Sequence, residues 1–329
     1  MPKVAVVIVT WSSKRFLEDC FASLEGQSFK DFTVTVVDNA SVDDSVQFLR
    51  EEYPTVSILE NFKNLGFARA CNQGIKLTKS DYVLIINPDV ILDENFLLRL
   101  VKAADESPEV GAFGGKLYLN KTNPESIEKL SFKNNNEVDS LGLEVSKSRR
   151  VSERGEGQKD KGQFNSSQSV FGFSGACVLY RRVALEEVAV NDEYFDVDFF
   201  AYKEDVDLAW RLQLYGWKAQ FEPTAVAWHR RFLGADKKRG KVSAQLRSMS
   251  LRNQHLVIIK NEDTSNLLRH LIYVVPRSLG MWGYALIFEP FQWRTLIRLF
   301  KQAPKSLQKR KIIMSHRKIG PEGIRKWFK

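Results

Sequence analysis

The N-terminal half of the chain alternates between two hydrophobic periods. Val4–Thr10 is an unbroken, largely β-branched run, the pattern of a strand buried on both faces. Over Arg15–Glu25 the apolar residues Phe16, Leu17, Phe21 and Leu24 fall at helical spacing. The alternation continues with strands over Phe32–Val37, Val56–Glu60 and Tyr82–Ile86. Between and after them come helices over Asp44–Tyr53, Gly66–Leu77 and Phe96–Ser107, the last with Asn95 or Asp93 placed to cap it. Strands and helices in turn predict an α/β fold with a mostly parallel sheet flanked by helices.

Two later segments break the pattern. Glu144–Gln168 is poor in apolar residues and dominated by Gly, Ser and charge, which predicts a mobile loop or lid. Order resumes at Val170 and runs through Gly172, Gly175 and the apolar stretch Ala176–Tyr180. Leu267–Trp293 is apolar and aromatic, but Arg269, His270, Pro276 and Arg277 interrupt it. Its longest uncharged stretch, Ser278–Phe288, has 11 residues, and a bilayer-spanning helix needs roughly 20. The expected organisation is an α/β domain over 1–260 and a helical, basic segment over 261–329.

Charge sharpens the second boundary. Of the chain's net charge of +9, residues 291–329 carry +11, from twelve Lys/Arg and the single acid Glu322, which leaves −2 for everything before them. A basic tail beside aromatic and aliphatic residues predicts either a helix lying on an anionic membrane surface or a packed helical hairpin with a solvated basic face. Nucleic-acid binding is disfavoured, because it spreads basic charge over a folded surface and this body is slightly acidic. At 329 residues and 43% hydrophobic content the chain can bury a full core. Cys20, Cys71 and Cys177 are odd in number and widely spaced, so they predict core thiols in a reducing, cytoplasmic setting rather than a disulfide framework. The run Val4–Val9 is too short for an export signal and reads as a strand.

The chemistry lies at strand and helix ends. The turn after the first strand, Thr10-Trp11-Ser12-Ser13-Lys14, has no glycine, so neither a dinucleotide fingerprint nor a P-loop is present and a metal ion is the natural partner for phosphates. Asp38, in Val37-Asp38-Asn39-Ala40-Ser41, stands where ligands bind in parallel sheets, although a helix cap has the same composition. Gly66, in Asn64-Leu65-Gly66-Phe67, opens a helix whose N–H groups can meet an anion, with Arg69 and Asn72 nearby. Tyr82–Ile86 runs straight into Asn87-Pro88-Asp89, which serves as an ordinary turn or presents Asp89 to a hard cation. Glu204, Asp205 and Asp207 crowd the first turn of a helix, where the macrodipole favours acids and where paired carboxylates also suit general-base work. His229 follows Ala225–Trp228 at a strand end, as a structural histidine or a metal ligand.

Taken in order, Thr10-Trp11, Val37–Ser41, Asn64–Phe67, Asn87-Pro88-Asp89, Glu204-Asp205 and Trp228-His229 resemble the family-2 glycosyltransferases of the GT-A fold. Among these the chain looks most like bacterial rhamnosyltransferases, over roughly residues 3 to 260. The resemblance implies that Asp38, Thr10 and Asn39 hold the nucleobase of a dTDP- or UDP-sugar. Asn64, Gly66, Phe67 and Asn87 would line the donor site. Asp89 and His229 would bind Mg²⁺ or Mn²⁺, and Asp205, with Glu204 beside it, would deprotonate the acceptor. The family's Asp-x-Asp metal motif appears here as Asn87-Pro88-Asp89, with a neutral first position. Inverting transfer of a sugar, with L-rhamnose as candidate, to a cell-surface glycan or lipid-linked acceptor at the inner face of the cytoplasmic membrane is the implied activity. A sugar-1-phosphate nucleotidyltransferase would need a Gly-rich, Lys-bearing first loop, absent from residues 10–15, and a non-catalytic membrane-associated protein is the other alternative.

Overall fold

The computed structural model describes residues 1–121, 135–230 and 243–329. The first half follows the hydrophobic pattern closely: β1 (Val4–Thr10), α1 (Lys14–Glu25), β2 (Phe32–Asp38), α2 (Ser45–Glu52), β3 (Ser57–Glu60), α3 (Phe67–Leu77), β4 (Tyr82–Ile86), β5 (Val90–Leu92) and α4 (Phe96–Glu106). Then come β6 (Val110–Leu119), β7 (Val138–Ser140), β8 (Leu143–Val145), β9 (Val151–Glu153), β10 (Gln168–Val170), β11 (Cys177–Arg181), α5 (Arg182–Glu187), α6 (Glu204–Leu214) and β12 (Lys218–His229). The C-terminal part is helical: α7 (Ala244–Asn261), α8 (Thr264–Arg269), α9 (Leu271–Phe288), α10 (Gln292–His316) and α11 (Pro321–Arg325).

The main sheet runs β10-β12-β6-β11-β4-β1-β2-β3, with β5 added on β12 and β7 on β6. β4, β1, β2 and β3 are parallel, whereas β11 is antiparallel to both β4 and β6. Strand period decides the two faces. Val4, Val6 and Ile8 of β1 pack with Leu17, Phe21 and Leu24 of α1. Val7 points the other way, into Cys71 and Ile75 of α3. A Cβ on Gly74 would stand 2.3 Å from a methyl of Val7, so this glycine sets how closely α3 lies on the sheet. Cys20, Cys71 and Cys177 are free and buried, and burial raises all three thiols above their ordinary range, as inert core packing requires.

Three features depart from the sequence pattern. Residues 144–168 are not a loop without structure of their own: β8 and β9 form a hairpin whose turn residue Arg149, at φ 63°, is wholly buried. Its guanidinium pairs with Glu262, meets His270 Nδ1 at 3.0 Å and stacks 3.7 Å from the Phe328 ring centre. A polar, glycine-rich composition concealed this because the hairpin is held by the distant C-terminus.

Secondly, the helical segment after residue 260 is built into the body. Leu299, Ile313, Ile324 and Phe328 belong to the same core as β11 and α6. Lys260 and Lys309 converge on buried Asp196, and Lys309 also holds Asp198 at 2.8 Å. Lys305, Arg317, Lys318 and Lys329 pair with Asp198, Asp263, Glu187 and Glu144, so part of the tail's positive charge is neutralised against the body.

Thirdly, α9 runs for 18 residues through Pro276 and Arg277 with mean hydropathy 1.3. It is the one helix among the described residues long and apolar enough to cross a membrane, so the 11-residue stretch understated it. One of its faces nevertheless rests on the protein. Val274 and Ala285 are buried, and Trp282 Nε1 donates to His255 Nε2 of α7 at 3.2 Å.

Candidate functional site

The carboxyl ends of β1, β2 and β4 lie side by side, since Thr10 registers with Asp38 and Ile8 with Ile86. Thr10, Asp38 and the Asn87-Pro88-Asp89 turn therefore fall on one rim. Asn39 ties it together: its N–H donates to Thr10 O at 2.8 Å, its amide nitrogen to Gly66 O at 3.3 Å, and its Oδ1 accepts from Asn61 Nδ2 at 3.1 Å. Asp38 accepts from the backbone and hydroxyl of Ser41. Thr10, Asp38 and Asn39 are all buried; Asp38 and Asn39 are held by the bonds just described, whereas the Thr10 hydroxyl has no hydrogen-bond partner. Asn64 Oδ1 accepts the Gly66 N–H at 2.9 Å. Gly66 has φ 85°, and a Cβ there would stand 2.6 Å from Phe200 O, so glycine alone suits the start of α3.

Asn87-Pro88-Asp89 is locked in place, with Asn87 N–H donating to Ala176 O and Arg230 N–H to Asp89 O. β12 brings His229 alongside through its pairing with β5. His229 Nε2 lies 3.4 Å from Asp89 Oδ1, an ion-pair separation longer than a well-formed hydrogen bond, and its Nδ1 lies 2.8 Å from Asp139 Oδ2. Burial opposes charge on this imidazole, yet Asp89 and then Asp139 outweigh it and raise it to about 10. Asp139 was not legible in the sequence, nor was Arg230, which is buried and paired with Asp19. Both lie far in sequence from their partners and carry no motif.

The three acids opening α6 go three ways. Asp207 is fully buried and bonded to Arg211, Lys260 and Asn261, a structural role. Glu204 is buried, and its Oε2 has no hydrogen-bond partner. Burial, then the neighbouring Asp205, raises its carboxyl to about 8, so it holds its proton at neutral pH. Asp205 is half-buried, and its Oδ2 accepts from Gly175 N–H at 3.2 Å. The chain reaches α6 through Phe200, Tyr202 and Lys203, all at positive φ, a strained approach that aims this turn.

Folding thus raises the affinity of Glu204 for its proton. Its contribution to stability is full below the ordinary glutamate range and falls as pH rises through 8. Thermal melting between about pH 6 and about pH 9 should show an alkaline loss in the wild type that Glu204→Gln flattens. An equal loss in both proteins would place the titrating group elsewhere.

Asn87, Asp89, His229, Glu204, Asp205 and Phe67 line one cavity of about 620 Å³. Thr10, Asp38, Asn39, Asn64 and Gly66 do not line it and stand on the adjoining part of the rim. The β8–β9 hairpin supplies Ser152 and Glu153 to its wall, and Glu156, just after it, joins them. The donor set fits a divalent cation that takes its remaining ligands from a substrate. Asp89 offers a buried oxygen without a hydrogen-bond donor, and His229 offers a nitrogen oriented by Asp139. No group of three His, Cys, Asp or Glu side chains among the described residues could hold such an ion alone.

The sequence profile of glycosyl transferase family 2 matches residues 5–189, over half of the chain. The chain belongs to this family. The N-acetylglucosaminyl-diphospho-decaprenol L-rhamnosyltransferase of Mycobacterium tuberculosis is 29% identical to this glycosyltransferase over 242 residues, covering 68% of the present chain and 75% of its own. Two solved structures share the fold. S. aureus TarS 1-349 in complex with UDP-GlcNAc has a TM-score of 0.58 at 16% identity, with 95% of this chain and 83% of that one covered. The mannosyltransferase PcManGT from Pyrobaculum calidifontis, in complex with GDP-Man and Mn²⁺, has a TM-score of 0.52 at 18% identity, with 96% and 86% covered. The expected α/β architecture of GT-A type, with a helical C-terminal region, is therefore correct.

Proposed function

We propose that this glycosyltransferase transfers a sugar, with inversion, from a nucleoside-diphosphate donor to a lipid-linked glycan acceptor. The observation that carries the reading is the shared cavity, in which Asp205 and the Asp89–His229 pair are walls of one space. Asp89 and His229 would hold Mg²⁺ or Mn²⁺, which supplies positive charge to the leaving diphosphate. Asp205 accepts the proton of the acceptor hydroxyl as that oxygen attacks the anomeric carbon. Glu204, already protonated, adds no competing charge beside it. The base of the donor lies against the rim organised by Asp38 and Asn39. L-rhamnose is the first candidate for the sugar, supported by the mycobacterial relative's name, with dTDP as the candidate carrier.

The reading extends to a membrane surface. Ile272, Leu279 and Ile287 of α9 are each about 70% exposed, and Trp293, Ile297 and Phe300 of α10 continue the apolar face. Such a face beside a basic segment suits a peripheral position on the inner leaflet of the cytoplasmic membrane. Calorimetric titration of dTDP, UDP and GDP, each with Mn²⁺ and with chelator, tests the donor reading. One nucleotide should bind preferentially and more tightly with Mn²⁺. Absence of binding by all three, or indifference to the chelator, would overturn it.

A further inference from the structure

A second cavity, of about 680 Å³, adjoins the first, and Val151, Tyr202, Lys203 and Ser250 form part of the wall of both. Its lining is unusual in combining uncompensated cations with apolar surface. Arg150, Lys203 and Arg277 face it, and none of the three has an ion-pair partner among the described residues. Arg247 also lines it but is neutralised by Glu289 at 3.2 Å. Burial, and then repulsion from Arg150, lowers the Arg277 guanidinium below its ordinary range, so the protein holds two cations close together at a cost to itself.

Such a cluster is stabilised by an anion carrying more than one charge. Leu246, Met281 and Tyr284 supply the apolar part of the wall. Helix α9 presents Arg277 to the cavity while Leu279 and Ile287 stand 68% and 71% exposed on its surface. The order across this side of the molecule is therefore catalytic carboxylate, cationic pocket, exposed apolar helix. An acceptor whose sugar is joined through a diphosphate to a long apolar chain has the same order of parts.

We propose that the second cavity is the acceptor subsite, in which Arg150 and Arg277 hold the diphosphate of a lipid-linked acceptor, with its apolar chain leaving along α9. The inference rests on the reading of a lipid-linked acceptor and adds the place where the lipid diphosphate binds. The donor also contains a diphosphate, but its place is at Asp89 and His229, on walls that the second cavity does not share.

Farnesyl diphosphate is a soluble probe of this chemistry, with farnesol and inorganic pyrophosphate as controls. Binding to the full chain in detergent is followed by calorimetry, for the wild type, Arg150→Ala, Arg277→Gln and the double variant. Farnesyl diphosphate should bind more tightly than either control. Each single variant should weaken it by about tenfold or more, as expected for loss of a charge-assisted contact. Affinity for the nucleoside diphosphate that the wild type prefers should stay unchanged, which also reports that the variants are folded. Arg150 is exposed, so its variant tests the proposal even if Arg277→Gln unfolds the helix. Parallel loss of nucleotide and farnesyl diphosphate binding in folded variants would assign the cations to the donor and overturn the proposal. So would unchanged farnesyl diphosphate binding, or pyrophosphate binding as tightly as the lipid. Failure of the donor reading shows itself separately, as a wild type that binds farnesyl diphosphate but no nucleotide.

Discussion

Asp205→Asn should lower sugar transfer by about 10²- to 10⁴-fold, the usual contribution of a positioned general base. Donor affinity should change by less than about twofold. The amide preserves the shape of the side chain, and its one oxygen can still accept either the Gly175 N–H or the N–H of Val206, which the carboxylate takes on separate oxygens. What it loses is basicity. Single-turnover transfer measured beside donor calorimetry separates the two quantities. Wild-type transfer by the variant would remove Asp205 from the role of base. Burial, the largest influence raising the Glu204 carboxyl, is untouched by the substitution and still disfavours Glu204 as a substitute base.

The second large effect concerns the opposite wall. Asp89→Ala should abolish the gain in donor affinity that Mn²⁺ confers, and Asp139→Asn should lower metal affinity by about 10- to 100-fold by removing the negative charge that polarises the His229 ring. The two variants differ instructively: one removes a ligand, the other only its support. A pH effect accompanies them. Without a metal the His229 imidazole is protonated up to about 10, so a cation must displace that proton from Nε2, and Mn²⁺ affinity should rise with pH through the neutral range. Calorimetric Mn²⁺ titrations at several pH values, in the presence of the preferred nucleotide, check both points. Unaltered metal dependence in Asp89→Ala would place the cation elsewhere.

Much of this site was legible as positions but not as roles. Asp89 and Asp205 were identified from local composition: a turn after a buried strand and a cluster of acids at a helix start. Both line the central cavity. The same reasoning could not rank Glu204, Asp205 and Asp207, which share one helical turn and one composition. Arg211, Lys260 and Asn261 take Asp207, burial takes Glu204, and only Asp205 keeps a half-exposed carboxylate. Nor could it show that Thr10, Asp38 and Asn39 are buried, with Asn39 bonded to Thr10, Gly66 and Asn61. Asp139 and Arg230 escaped altogether, since each is defined by a partner 90 or more residues away.

Local physics determined the elements themselves. Unbroken β-branched runs, helical apolar spacing and glycine at a forced backbone position act within a few residues, and they placed the elements from β1 to α4, other than the short β5, almost to the residue. Long-range packing decided the rest. The first part of the polar stretch 144–168 became a hairpin because Arg149 found Glu262 and Phe328. The basic tail became part of the core because Lys309 found Asp196. Burial of charge is stable only with its partner in place, so the meaning of each such residue was settled by contacts that no stretch of sequence contains.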